Sequence, residues 1–102
     1  MTMFILGGIS SASAANYNGD DPIYIKMGDS FELDLLYDEW IETDGYNHDM
    51  LKLNKMERST PIDGYWCNMY TFESLKTGTT KIKIKMQYLW WEDEKTVNVH
   101  IQ

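Results

Sequence analysis

The residues able to do chemistry in this chain are few, and their spacing works against catalysis. Nucleophilic catalysis needs a Ser or Cys within hydrogen-bond reach of a base. The single cysteine, Cys67, sits between Trp66 and Asn68 in an aromatic run, the setting of a small buried hydrophobe. His48 is the one conceivable base for it, and nothing in the spacing favours that dyad. One Cys and two His cannot supply a zinc ligand set or an intramolecular disulfide. There is no Gly-x-Ser-x-Gly elbow, Walker loop or dinucleotide glycine fingerprint. Carboxylates are more plentiful: Asp38, Glu39, Glu42, Asp44 and Asp49 fall in one stretch. Calcium wants several such oxygens. EF-hand spacing fails, because counting back from Gly45 puts Trp40 where the first acidic ligand belongs. The stretch reads as a solvated acidic loop, and Glu92, Asp93 and Glu94 as an exposed turn. The expectation is a protein that is not an enzyme and needs no metal or cofactor.

The elements that must position these residues are strands. Ile23, Ile25 and Met27 alternate with Tyr24 and Lys26, and Phe31, Leu33, Leu35 and Tyr37 with Glu32, Asp34 and Leu36. From Thr80 to Met86, apolar residues and lysines interleave strictly, and Val97, Val99 and Ile101 alternate with Asn98 and His100. Each run has strand length and gives one apolar and one wet face. Residues 51–56 fit a short helix or a strand, with strand preferred, and residues 65–72 add another strand. Turn signals separate the runs: Gly28-Asp29, Asp44-Gly45, Pro61 to Gly64, Thr77-Gly78 and Glu92 to Glu94. The count predicts an all-β, immunoglobulin-like antiparallel β-sandwich of six to seven strands. A small barrel is the rival. Gly78 suits a turn with positive φ, and Leu75 is placed to plug the bottom of the sandwich.

The chain has 102 residues, enough for one domain. Nine Lys and Arg against 16 Asp and Glu give a net charge of −7, which disfavours nucleic acid as a partner. No apolar run reaches membrane-spanning length. Residues 1–15 carry no charge and combine an apolar run, Met3 to Ile9, with Ser-Ala-Ser-Ala-Ala. They read as a signal-peptide remnant or leader, with residues 16–21 as a polar lead-in and 22–102 as the folded domain. A secreted or cell-surface protein is expected.

The aromatics cluster. Trp40 and Tyr46 flank the acidic loop, and Trp90 and Trp91 open the last connection. In an immunoglobulin-like sandwich these two loops share an end, where large rigid rings make contact surfaces. The sequence from about Ile23 to Gln102 resembles the chagasin-like inhibitors of papain-type cysteine peptidases. That family carries Asn-Pro-Thr-Thr-Gly-Tyr between its second and third strands. Here Thr43, Asp44, Gly45 and Tyr46 keep Thr-x-Gly-Tyr, while Ile41-Glu42 replaces Asn-Pro. The family's last loop carries Arg-Pro-Trp, and here Tyr88-Leu89-Trp90 stands. Its glycine-rich middle loop is reduced to Asp63-Gly64.

The resemblance implies three loops forming a wedge that enters the peptidase cleft. Thr43, Asp44, Gly45 and Tyr46 would lie over the enzyme's cysteine, Gly64 would sit in the middle loop, and Leu89, Trp90 and Trp91 would occupy the last. A papain-type cysteine peptidase is the implied partner. Two other readings stand beside it. One is a structural or adhesive cell-surface module. The other is a carbohydrate-binding module that stacks sugars on Trp40, Trp90 and Trp91.

Overall fold

The structure is a computed structural model that describes residues 15–59 and 66–102. The apolar leader, apart from Ala15, and Gly64 lie outside the described residues. Eight strands are described: β1 Ala15–Asn18, β2 Ile23–Ile25, β3 Ser30–Leu36, β4 Glu39–Trp40, β5 Leu51–Arg58, β6 Cys67–Ser74, β7 Gly78–Gln87 and β8 Glu92–Ile101. They form two four-stranded sheets, ordered β1-β3-β6-β5 and β2-β8-β7-β4. The sandwich expected from the alternation is therefore present. It is not wholly antiparallel: β1 runs parallel to β3, and β2 parallel to β8. The polar lead-in expected at residues 16–21 begins inside β1, because its backbone pairs along Phe31 to Asp34 at the sheet edge.

The alternation seen in the sequence is the burial pattern of the strands. Phe31, Leu33 and Leu35 of β3 face Ile82 and Ile84 of β7 and Val97, Val99 and Ile101 of β8 in one core. Phe31 and Phe72 are fully buried and stack with centroids 5.6 Å apart. Each large side chain so buried contributes about 1.5–3 kcal/mol relative to exposure. Lys81 and Lys83 take the wet face of β7, where charge discourages sheet-to-sheet association.

Strand β6 sets the frame. Its inward residues are Asn68, Tyr70, Phe72 and Ser74, all buried. The two central rings belong to the core, and the two outer residues are polar and mark the sandwich ends. At the Gly78 end, the Ser74 hydroxyl donates to Lys26 O (3.0 Å) or Asp29 O (3.1 Å) and accepts from Gly28 N–H (3.0 Å). That contact ties down the turn at Gly28, whose φ is +90°. Gly78 has φ +132°, as its turn position requires. Leu75 is exposed and plugs nothing. Met50 packs against the core there instead, and a Cβ on Gly78 would stand 3.1 Å from its methyl group.

Candidate binding surface

The opposite end of the sandwich is where β3, β5 and β7 finish and β4, β6 and β8 begin. Its contents are built from inward positions that carry polar side chains. Lys95 shares the parity of Val97, Val99 and Ile101 and so points between the sheets. Its Nζ lies 3.0 Å from Glu39 Oε2 and 3.0 Å from Asp20 Oδ1. Burial lowers the affinity of Lys95 for its proton, yet the hydrogen bonds to Asp20 and Glu39 outweigh this and hold its pKa above that of a free lysine. Glu39 is buried. Its other oxygen accepts the Leu36 N–H at 2.9 Å.

Asn68 completes the arrangement. Its Nδ2 donates to Glu39 O at 2.7 Å and Leu36 O at 3.3 Å. Its Oδ1 accepts from Arg58 Nε at 3.2 Å. Glu39 and Asn68 thus hold both flanks of Tyr37 and Asp38, the two residues that carry the chain from one sheet to the other. A fourth bond fixes the turn from the β7 side: Gln87 N–H donates to Asp38 O at 3.0 Å. The sharp crossing is stable because its freed backbone groups find partners.

Outside this polar layer stand the rings. Leu36, Tyr37, Trp66, Tyr88, Leu89, Trp90 and Trp91 are all exposed, Leu89 at 85% and Trp90 at 80%. The β7–β8 connection is closed by Tyr88 N–H donating to Trp91 O at 2.9 Å. Trp91 packs against both Tyr88 (5.2 Å) and Trp90 (6.0 Å). Arg58 lies 6.0 Å above the Trp66 ring. Exposed aromatics in contact with one another on a hydrogen-bonded turn form a rigid contact surface with little entropy left to lose.

Leu89, Trp90 and Trp91 stand where the sequence placed them, at the tip. Residues 43–46 do not join them. The expected long loop is interrupted by β4, which pairs with β7 at Met86 and Lys85. From there the chain runs along the β7 edge toward the Gly78 end. Lys83 N–H donates to Gly45 O at 2.8 Å, and Tyr46 bridges Ile82. Gly45 is buried, and a Cβ there would meet Glu42 O at 3.0 Å and Lys83 O at 3.1 Å. Its close approach is to the protein's own β7 edge. Tyr46 turns inward, edge-on to Phe72 (5.0 Å) and stacked on His48 (4.2 Å). Thr43 and Asp44 stay exposed, on the flank and away from the tip. The connection that does share an end with Trp90 is Tyr37 and Asp38.

The acidic stretch is dispersed: Glu39 goes inside, and Glu42 pairs with Lys85 at 3.6 Å. Among the described residues, no three His, Cys, Asp or Glu side chains gather as a metal site. Cys67 is half-buried opposite Leu36 at the tip end, whereas His48 stacks on Tyr46. The sequence placed Asp38 in the acidic loop at this end, read Tyr37 as the last apolar position of a strand, and missed Asn68 and Lys95. The usable signal was parity: Lys95 extends the inward series of β8, and Asn68 that of β6.

No family model matches the chain, and no curated protein matches it in sequence. Solved structures do match. The chain superposes on the cysteine protease inhibitor EhICP2 from Entamoeba histolytica with a TM-score of 0.68 and 19% identity, covering 87% of this chain and 95% of that one. It superposes on amebosin with a TM-score of 0.54 and 16% identity, covering 88% and 99%. At these identities the likeness establishes the fold, a chagasin-like β-sandwich.

Proposed function

We propose that this protein inhibits cysteine peptidases of the papain type, and that it does so by seating its Trp90 end in the substrate cleft. The observation that carries the reading is the gathering of exposed rings on two backbone-fixed connections at one end of a chagasin-like fold. The wedge of this reading is built from Tyr37, Asp38, Leu89, Trp90 and Trp91, with Trp66 beside them. Thr43 to Tyr46 serve the fold. Inhibition is by occlusion: the tip fills the cleft and excludes substrate, and no bond is made or broken. A nanomolar complex needs about −12 kcal/mol, and a few aromatic anchors on a rigid scaffold supply that scale.

The same reading goes with secretion or display at a cell surface, supported by the apolar run and Ala-rich segment of residues 1–15. Cleavage after Ala14 would leave β1 whole.

The test is progress-curve inhibition of papain and related peptidases by the full chain. Competitive, reversible inhibition is expected, retained in Cys67→Ser. Absence of inhibition of several such enzymes at micromolar protein overturns the proposal.

A further inference from the structure

Beside the tip lies an open groove of about 550 Å³ lined by Tyr37, Asp38, Trp40, Gln87, Tyr88 and Leu89. We infer that this groove accepts an arginine or lysine side chain presented by the bound partner, an inference that rests on the inhibitor reading and adds the chemistry of one contact to it.

The lining has the composition of a cation receptor. Tyr37, Trp40 and Tyr88 bring aromatic rings to the lining, and a ring face attracts a guanidinium or ammonium within about 6 Å. Among the described residues, Asp38 supplies the formal charge of the lining and no Lys or Arg contributes to it. Leu89 offers apolar cover to an aliphatic stem. Lys85, paired with Trp40 across the β4–β7 ladder, has its ammonium 3.6 Å from Glu42, and the Lys95 ammonium is 3.0 Å from Glu39. Glu92, Asp93 and Glu94 begin the adjoining strand, so the local field also draws cations. The wall that carries Tyr37 and Asp38 is already fixed by Glu39, Asn68 and Gln87 N–H, so little ordering remains to be done on binding. A macromolecular partner fits better than a free ion, because the groove opens next to Leu89, which is 85% exposed. A protein seated on the tip brings its rim residues to that mouth.

The experiment titrates the full chain with acetyl-Gly-Arg-Gly-amide and with its citrulline counterpart, following the Trp40 indole and Leu89 methyl resonances. The arginine peptide is expected to shift both signals saturably and to bind about five- to ten-fold more tightly than the neutral isostere. Asp38→Asn should reduce it to the citrulline level, and Trp40→Leu should do likewise. Equal binding of the two peptides, no saturable shift, or an unaffected Asp38→Asn protein overturns the inference. A stronger response of the same signals to cellotetraose overturns it too and assigns the groove to sugar. Peptidase inhibition is measured in parallel. Arginine selectivity without inhibition defeats the inhibitor reading, and with it the partner named here, while leaving the groove's cation preference standing. Inhibition that is indifferent to Asp38→Asn defeats the groove alone.

Discussion

The two ends of the sandwich solve the same problem with different chemistry. Each must fasten a sheet-to-sheet crossing, and each does so from an inward polar residue of β6. At the Gly78 end a neutral hydroxyl, Ser74, holds the turn at Gly28 together with backbone bonds from Ser74 N–H to Asp29 O, Asp29 N–H to Lys26 O and Met27 N–H to Gln102 O. At the Trp90 end an amide and an ion pair, Asn68 with Glu39 and Lys95, hold Tyr37 and Asp38. Both crossings are held by several hydrogen bonds, and only the second adds an ion pair. The crossing fastened by charge is the one surrounded by exposed rings.

The comparison is broken most forcefully at Glu39. Glu39→Ala leaves the Lys95 ammonium facing the interior with only the exposed Asp20 as partner. Removing one member of a buried pair typically costs about 3–5 kcal/mol. Because Lys95 retains some exposure, a loss of about 2–3 kcal/mol is expected by urea denaturation. The double replacement Glu39→Met with Lys95→Met should recover most of it, since apolar residues of similar size are tolerated where ion pairs were. It should still not restore inhibition, because the Leu36 N–H has lost its acceptor. Full inhibition in the double variant would show that the tip does not depend on this fastening.

The next effect compares the ends directly. Asn68→Ala removes the donor to Glu39 O and should cost about 1–3 kcal/mol, whereas Ser74→Ala leaves Gly28 N–H, Lys26 O and Asp29 O with backbone partners and should cost about 0.5–1.5 kcal/mol. Only Asn68→Ala should weaken peptidase binding. Equal damage to binding from both would reduce the difference between the ends to one of stability.

These two residues also show where the sequence was legible and where it was not. Period-two alternation revealed the core, because Phe31, Leu33, Ile82, Ile84 and Val99 each occupy a position whose type matches its face. It left open whether Trp90 or Trp91 turns inward, because adjacent residues of an extended segment face opposite sides; both are exposed. It hid the polar layer, because Glu39 and Lys95 have surface-type side chains and are inside only by virtue of each other. It misplaced residues 43–46 because β4 is two residues long and leaves no periodic trace. The Thr-x-Gly-Tyr pattern is present, yet Gly45 is required by Lys83 O rather than by a partner.

A third variant touches the outer ring alone. Trp90→Ala removes a side chain that is 80% exposed, so stability should stay within about 0.5 kcal/mol. Inhibition should fall by at least about ten-fold, the scale of an interface anchor. The smallest effect lies on the flank of β3, remote from either end. A side-chain hydrogen bond with Asp34, then burial and the neighbouring Asp34 charge, raise the Glu32 pKa above its ordinary 4.5, with Lys55 opposing and Glu57 assisting. The folded state therefore holds this proton more tightly than the unfolded chain. The stability it contributes is complete below the unfolded pKa and is lost as pH rises through the folded one. Glu32→Gln should flatten that decline in a pH series of thermal melts and leave inhibition unchanged.

The most direct measurement maps the complex. The full chain, isotopically labelled, is titrated with inactivated papain while its backbone amides are followed. Perturbation concentrated at residues 36–38 and 87–92 is the expected result. Perturbation centred on residues 43–47, or none at saturating enzyme, would contradict the assignment of the Trp90 end as the binding surface.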